Sequence, residues 1–212
     1  MINELDVTLT DYGLAIECAL LAWLLVRRGR EPSFLRAWFG LFFVAISAAS
    51  LAGGTVHGFF PQPGMLAFRI LWPLTLLAIG LAAVAAWMAG LGIRRSPMTA
   101  RSAGPWLLLV FLVYAAVVLF VSQQYLVAII GYLPAAVFLL FVFSAAFRRT
   151  MEPSVLAGVV GLALTFVAAG IQLAGVGLHP RYFDHNALYH LVQAVALYLV
   201  YRSARWFVQR QA

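Results

Sequence analysis

The chain has 212 residues, 64% of them hydrophobic and only 10% charged, with a formal net charge of +7. A soluble domain carries roughly 25% charged residues, so the composition excludes a separate soluble domain and reads as one all-α polytopic membrane domain over 1–212. All 14 basic residues are arginine, and the lack of lysine excludes a Schiff base and other lysine-centred covalent chemistry.

The N-terminal stretch holds Glu4, Asp6 and Asp11 and no basic residue. A cleavable signal peptide needs a positive n-region, so the first apolar segment is expected to be retained. A bilayer-crossing helix needs about 20 mostly apolar residues, and seven such stretches follow in chain order. They cover about 9–27, 35–57, 66–91, 105–122, 125–147, 154–177 and 184–206. Turn chemistry separates them, for instance around Pro32, at Pro61-Gln62-Pro63-Gly64, at Ser96-Pro97, at Glu152-Pro153 and at His179-Pro180-Arg181. The break at Ser122-Gln123-Gln124 is short and predicts a tight hairpin of the fourth and fifth spans. Cys18 is the only cysteine, which excludes an intrachain disulfide and thiolate metal clusters.

Arginine placement sets the orientation. Cytoplasmic loops are the richer in basic residues. Under seven spans, Arg27, Arg28, Arg30 and Arg36, then Arg94, Arg95 and Arg101, then Arg148 and Arg149, and finally Arg202, Arg205 and Arg210 share one side. Only Arg69 and Arg181 fall on the other. The N-terminus is therefore expected outside, the C-terminus in the cytoplasm, and the protein in a bacterial inner membrane. The arginines sit at span ends rather than in a stripe, so no nucleic-acid partner is implied. Trp23, Trp38, Trp72 and Trp106 read as interface anchors or packing residues. Ala48, Ala49, Ser50, Gly158 and Gly161 read as close helix packing.

The polar residues of the spans gather at the outer end. Glu17 lies in the first span, Ser50, Thr55 and His57 in the second, and Arg69 and Thr75 in the third, with Gln172 near the end of the sixth. The stretch Tyr182–Gln193 then places Asp184, His185, Asn186, His190 and Gln193 at the opening of the seventh. Ionisable groups in a membrane are costly and mark functional sites, and polar groups there need partners or water. An outward-opening polar cavity is the expectation. At about 100° per residue, Asn186, His190 and Gln193 fall within roughly 60° of one another, with His185 at the rim. Asp184 is placed either to cap the helix or to act chemically. His190 is either satisfied by Gln193 or Glu17, or functional. All four histidines, His57, His179, His185 and His190, lie at this end. Gly53, Gly54 and Gly58 flank His57 and permit close backbone approach. Three imidazoles plus water form a catalytic zinc arrangement. A satisfied polar network and a haem or quinone pocket are the alternatives.

Seven spans, a histidine closing the second and two opening the seventh resemble the CREST superfamily, which includes alkaline ceramidases and progestin/adiponectin receptors. The likeness rests on Gly-Gly-Thr-Val-His-Gly (53–58) and on Asp-His-Asn-x-x-Tyr-His-x-x-Gln, together with the topology of the whole chain. It implies a zinc ion held by His57, His185 and His190, and a metal-bound water that cleaves a lipid amide. This chain departs from the pattern. The helix-7 histidines of that superfamily are spaced His-x-x-x-His, which would put Asn186 at the first position. Its helix-2 serine is Gly53 here, with Ser50 one turn earlier, and Arg69 stands where an aspartate is expected. The seventh-span signature is also similar to that of a family of small bacterial membrane proteins.

The leading expectation is a zinc-dependent hydrolase of a membrane-lipid amide or ester. Asp184 or Glu17 would move the proton, Asn186 or Ser50 would steady the oxyanion, and Gln193 would orient His190. Thr55, Arg69 and His179 would support the site. The alternative is a sensor, receptor or transport-related protein whose cavity takes a small polar ligand. A third reading makes His57 and His190 axial haem ligands.

Overall fold

Apolar runs bounded by serine, proline and arginine fold into helices in the computed structural model, which describes residues 2–27, 33–179 and 182–210. Among these residues the helices are α1 (Leu5–Val26), α2 (Phe34–Phe59), α3 (Leu66–Arg94), α4 (Pro97–Arg101), α5 (Gly104–Phe120), α6 (Tyr125–Thr150), α7 (Pro153–Leu173) and α8 (His185–Arg210). Arg28, Arg30 and Arg181 from the orientation argument, and the turn residues Pro32 and Pro180, lie outside the described residues. The Ser33 side chain accepts the Arg36 N–H at 3.4 Å and opens α2, satisfying one of the orphan donors of a helix start. Ser96 does the same for Thr99 at 3.3 Å. Met151 takes a left-handed conformation at the end of α6, and Pro153 begins α7 two residues later.

Among the described residues six helical segments are long and apolar enough to cross a membrane, with Pro97–Phe120 counted as one. By length and composition the chain thus has the character of a helical membrane protein. α8 is as long as the others, with 26 residues, but its polar opening and its three arginines lower its apolar content. The expected seventh span is thus the one that length and composition leave open.

Six helices close a ring: α1 packs on α2, α2 on α3, α3 on α6, α6 on α7, α7 on α8, and α8 on α1. The two closures of the ring pair parallel helices. Along α1 and α8, Asp6 meets Asp184 and Thr10 meets His190. Along α3 and α6, Trp72 meets Tyr125 and Trp87 stacks on Phe138. Glycine allows the antiparallel neighbours to approach closely. A Cβ on Gly54 would lie 2.7 Å from the Asp11 Cβ, and one on Gly161 would lie 2.5 Å from the Ala196 carbonyl oxygen.

α5 stands outside the ring. The short link before α6 predicts a tight hairpin, but α5 packs chiefly against α3 instead. Tyr114 explains the difference. Its hydroxyl donates to the Leu76 carbonyl at 2.7 Å, and its ring fills the space over Gly80 of α3 and Gly131 of α6. This wedge ties α5 to α3.

The ring interior differs along its length. Toward the arginine-rich end, Phe39 faces Phe143, Phe143 stacks on Phe207, and Phe43 meets Tyr201 edge-on. These rings and the aliphatic side chains around them form the main core. In the other half, where the polar residues lie, the aromatic side chains line a space rather than fill it.

Candidate functional site

A cavity of about 340 Å3 occupies that half, and every ring helix contributes to its wall. Asp11 comes from α1, Ser50 from α2, Thr75 from α3, Tyr132 from α6, Thr165 from α7 and His190 from α8. Its volume lies within the range of small-molecule pockets, about 300–1,000 Å3.

Asp11 and His190 form its polar centre. Asp11 is 4% exposed, and its Oδ1 lies 3.3 Å from His190 Nε2. Nδ1 of the same ring lies 3.2 Å from Thr10 Oγ1. The Thr10 hydroxyl is 2.8 Å from the Asp6 carbonyl. A carbonyl oxygen only accepts, so the hydroxyl donates there and receives the Nδ1–H of His190. This leaves Nε2 facing the carboxyl group.

A second polar anchor joins α7 to α8. The Thr165 hydroxyl donates to the Gly161 carbonyl at 3.2 Å and accepts from Gln193 Nε2 at 3.4 Å. That contact fixes the amide so that Oε1 is the free end. Gln193 is 6% exposed, and among the described residues its Oε1 has no hydrogen-bond partner. Near the mouth, Gln172 Nε2 donates to Asn186 Oδ1 at 3.2 Å.

The N-terminal residues cross this end of the ring like a strap. The Asn3 N–H donates to the Gly58 carbonyl at 3.0 Å. His57 Nδ1 donates to Glu4 Oε2 at 2.7 Å, with both side chains partly exposed. Asp6 Oδ2 accepts the Asp184 N–H at 3.0 Å. Asp184 Oδ1 in turn accepts the N–H groups of Asn186 at 2.8 Å and Ala187 at 2.9 Å, which is the geometry of a helix cap.

The sequence candidates divide sharply. Ser50, His57, Asn186, His190 and Gln193 line the cavity, as does Thr75. Glu17, Thr55, Arg69, His179, Asp184 and His185 are not part of its wall. Glu17 is half-buried on α1, on a face turned away from Asp11. Thr55 donates to the Leu51 carbonyl at 2.7 Å and meets the Tyr12 hydroxyl at 3.0 Å. Arg69 is exposed at the start of α3. His179 lies in the loop before α8, its ring on Tyr182 and its Nδ1 accepting the Tyr182 N–H. Gln193, expected to orient His190, bonds Thr165 instead, and His190 meets Asp11 and Thr10 rather than the expected Glu17. Trp72, read as an anchor, lines the cavity and donates to the Gln123 carbonyl at 2.8 Å. Asp11, Thr10, Thr165 and the wall tyrosines Tyr125, Tyr132 and Tyr189 were not anticipated. Asp11 was the detectable one, because a carboxylate inside an apolar run is a signal in itself.

The three-histidine zinc set does not fit this arrangement. His185 is off the cavity wall, and among the described residues no group of three His, Cys, Asp or Glu side chains is placed to hold a metal ion.

The chain belongs to DUF6962, a family of unknown function, over residues 7–208. Compared with curated proteins and with solved structures, it has no match.

Proposed function

We propose that the chain is a seven-helix protein of the bacterial cytoplasmic membrane, N-terminus outside, that binds a small molecule in its ring cavity as a sensor, receptor or transport-related protein. The observation that carries this reading is Gln193 Oε1, a buried acceptor with no partner on the wall of a cavity of about 340 Å3. A buried polar group left unpaired costs about 1–3 kcal/mol, and a bound molecule removes that cost. The arginine distribution supports the orientation and puts the cavity in the outer half. The test is native mass spectrometry of protein extracted from its own membranes. A bound small molecule is expected on the wild type and not on Ala169→Phe, which fills the cavity. Equal occupancy of the two would overturn the reading.

A metal-dependent hydrolase of a lipid amide or ester is the second reading, favoured by one specific observation. Both His57 and His190 tie Nδ1 to an oxygen, of Glu4 and Thr10 respectively, and keep Nε2 for another partner. Metal-binding histidines share this habit. Metal analysis decides it: no zinc in wild-type protein, or unchanged zinc in His57→Ala/His190→Ala, removes this reading.

A further inference from the structure

We infer that the ligand of this cavity is a small organic ammonium ion, an amine carried on an apolar body. The inference rests on the ligand-binding reading above and deepens it.

Consider what the wall offers at hydrogen-bonding distance. Gln193 presents Oε1, while one N–H of its Nε2 is committed to Thr165. The Thr75 hydroxyl donates to the Leu71 carbonyl at 3.0 Å and keeps only lone pairs for the cavity. Thr165 is spent in the same way on Gly161. Trp72 gives its indole N–H to Gln123. Asp11 supplies the carboxyl, and Gly53 brings it close to Thr75: a Cβ at Gly53 would lie 3.8 Å from Asp11 Oδ2 and 3.9 Å from Thr75 Oγ1. The fixed polar atoms of the centre are thus mainly acceptors. The Ser50 and tyrosine hydroxyls, the Asn186 and Gln172 amides and the His57 ring are the exceptions, and they serve either kind of partner.

Among the described residues no arginine lines the cavity, and the chain has no lysine. A carboxylate or phosphate ligand would meet only His190, whose Nε2 already faces Asp11, and His57, which is already bonded to Glu4. An ammonium group finds a carboxyl and two neutral acceptors. The remaining wall suits its body, since Trp72, Tyr125, Tyr132, Phe166 and Tyr189 offer ring faces. Aromatic faces attract cations most strongly where water is excluded. His190 is the internal competitor, because an entering ammonium takes its place as the partner of Asp11.

The test uses purified full-length protein in lipid nanodiscs and three probes of matched shape: 3-phenylpropylamine, 3-phenylpropanol and 3-phenylpropionate. Binding is measured by calorimetry on the wild type and on Asp11→Asn, Gln193→Leu and Ala169→Phe. The amine is expected to bind at least about tenfold more tightly than the alcohol, as a charge-assisted hydrogen bond implies, and the carboxylate least of all. Asp11→Asn should remove that preference. Gln193→Leu, which keeps the Asp11–His190 pair, should weaken the amine by a smaller factor. Amine and alcohol binding equally, with both lost in Ala169→Phe, would overturn the ammonium inference and leave the cavity reading intact. No binding of any probe would overturn both for ligands of this size. Amine binding that survives Ala169→Phe would mark adsorption to lipid and also overturn the inference.

Discussion

His190 Nε2 lies 3.3 Å from Asp11 Oδ1, while Thr10 holds the opposite ring nitrogen. Because Thr10 takes the Nδ1–H, a single proton at most lies between the imidazole and the carboxyl. The pair links α1 to α8 across one closure of the ring. Deleting one member leaves the other buried and unpaired. Asp11→Ala and His190→Ala are each expected to lower stability by about 1–3 kcal/mol. The double variant should lose less than the sum, with a coupling of about 0.5–3 kcal/mol. Thermal unfolding in detergent reads the cycle, and strict additivity would show that the two groups do not interact.

Helix contact at glycine gives a second prediction with its own control. A methyl group on Gly161 meets the Ala196 carbonyl oxygen at 2.5 Å, and one on Gly54 meets the Asp11 Cβ at 2.7 Å. The first neighbour is backbone and cannot rotate away. Gly161→Ala should therefore cost about 1–3 kcal/mol, and Gly54→Ala should also disturb the cavity through Asp11. Gly170 has nothing within 4 Å of an added Cβ, so Gly170→Ala should be neutral or slightly stabilising. Melting temperatures of the three variants decide the ranking.

Asp184 separates a cap from a catalyst. As a cap it is replaceable by asparagine, whose side-chain oxygen accepts the same N–H groups. Asp184→Ala is expected to cost about 0.5–2 kcal/mol, with Asp184→Asn close to wild type in both melting temperature and ligand binding. A proton-transferring Asp184 would fail equally in the two variants.

The seventh crossing is tested by cysteine accessibility. Cys18 is fully buried, so a Cys18→Ala background is silent. On intact cells, a membrane-impermeant thiol reagent should label Gln62→Cys, in the turn between α2 and α3. It should label Gln209→Cys, at the far end of α8, only after lysis. Labelling of Gln209→Cys on intact cells would show that α8 does not cross.

Much of this architecture was legible in the residues, for physical reasons that also mark where legibility stopped. Apolar runs and turn residues place the helices, because an unsatisfied backbone in lipid is too costly for other solutions. His57 and His190 share one cavity wall, as their depths implied. The angular argument for Asn186, His190 and Gln193 held, since all three line the cavity. Asp11 escaped notice because it reads as part of an acidic N-terminal stretch with Glu4 and Asp6. α1 begins at Leu5, so Asp11 is well inside the helix. The same angular argument would have set Glu17 apart, because six residues turn it about 120° away from Asp11. Thr165 was illegible, since its role depends on how α7 meets α8. So was the departure of α5 from α6, which depends on where one tyrosine ring finds room.

The exile of α5 has a consequence for where the cavity lies. With α5 set aside, the chain is two triplets, α1–α2–α3 and α6–α7–α8, that start from the same end and meet along two parallel seams. The last helix of each borders the first of the other, and α5 is the return stroke between them. Asp11 and Thr10 face His190 across one seam, and Trp72 faces Tyr125 across the other. The cavity therefore lies on the boundary between the two triplets, so how one triplet meets the other sets its shape.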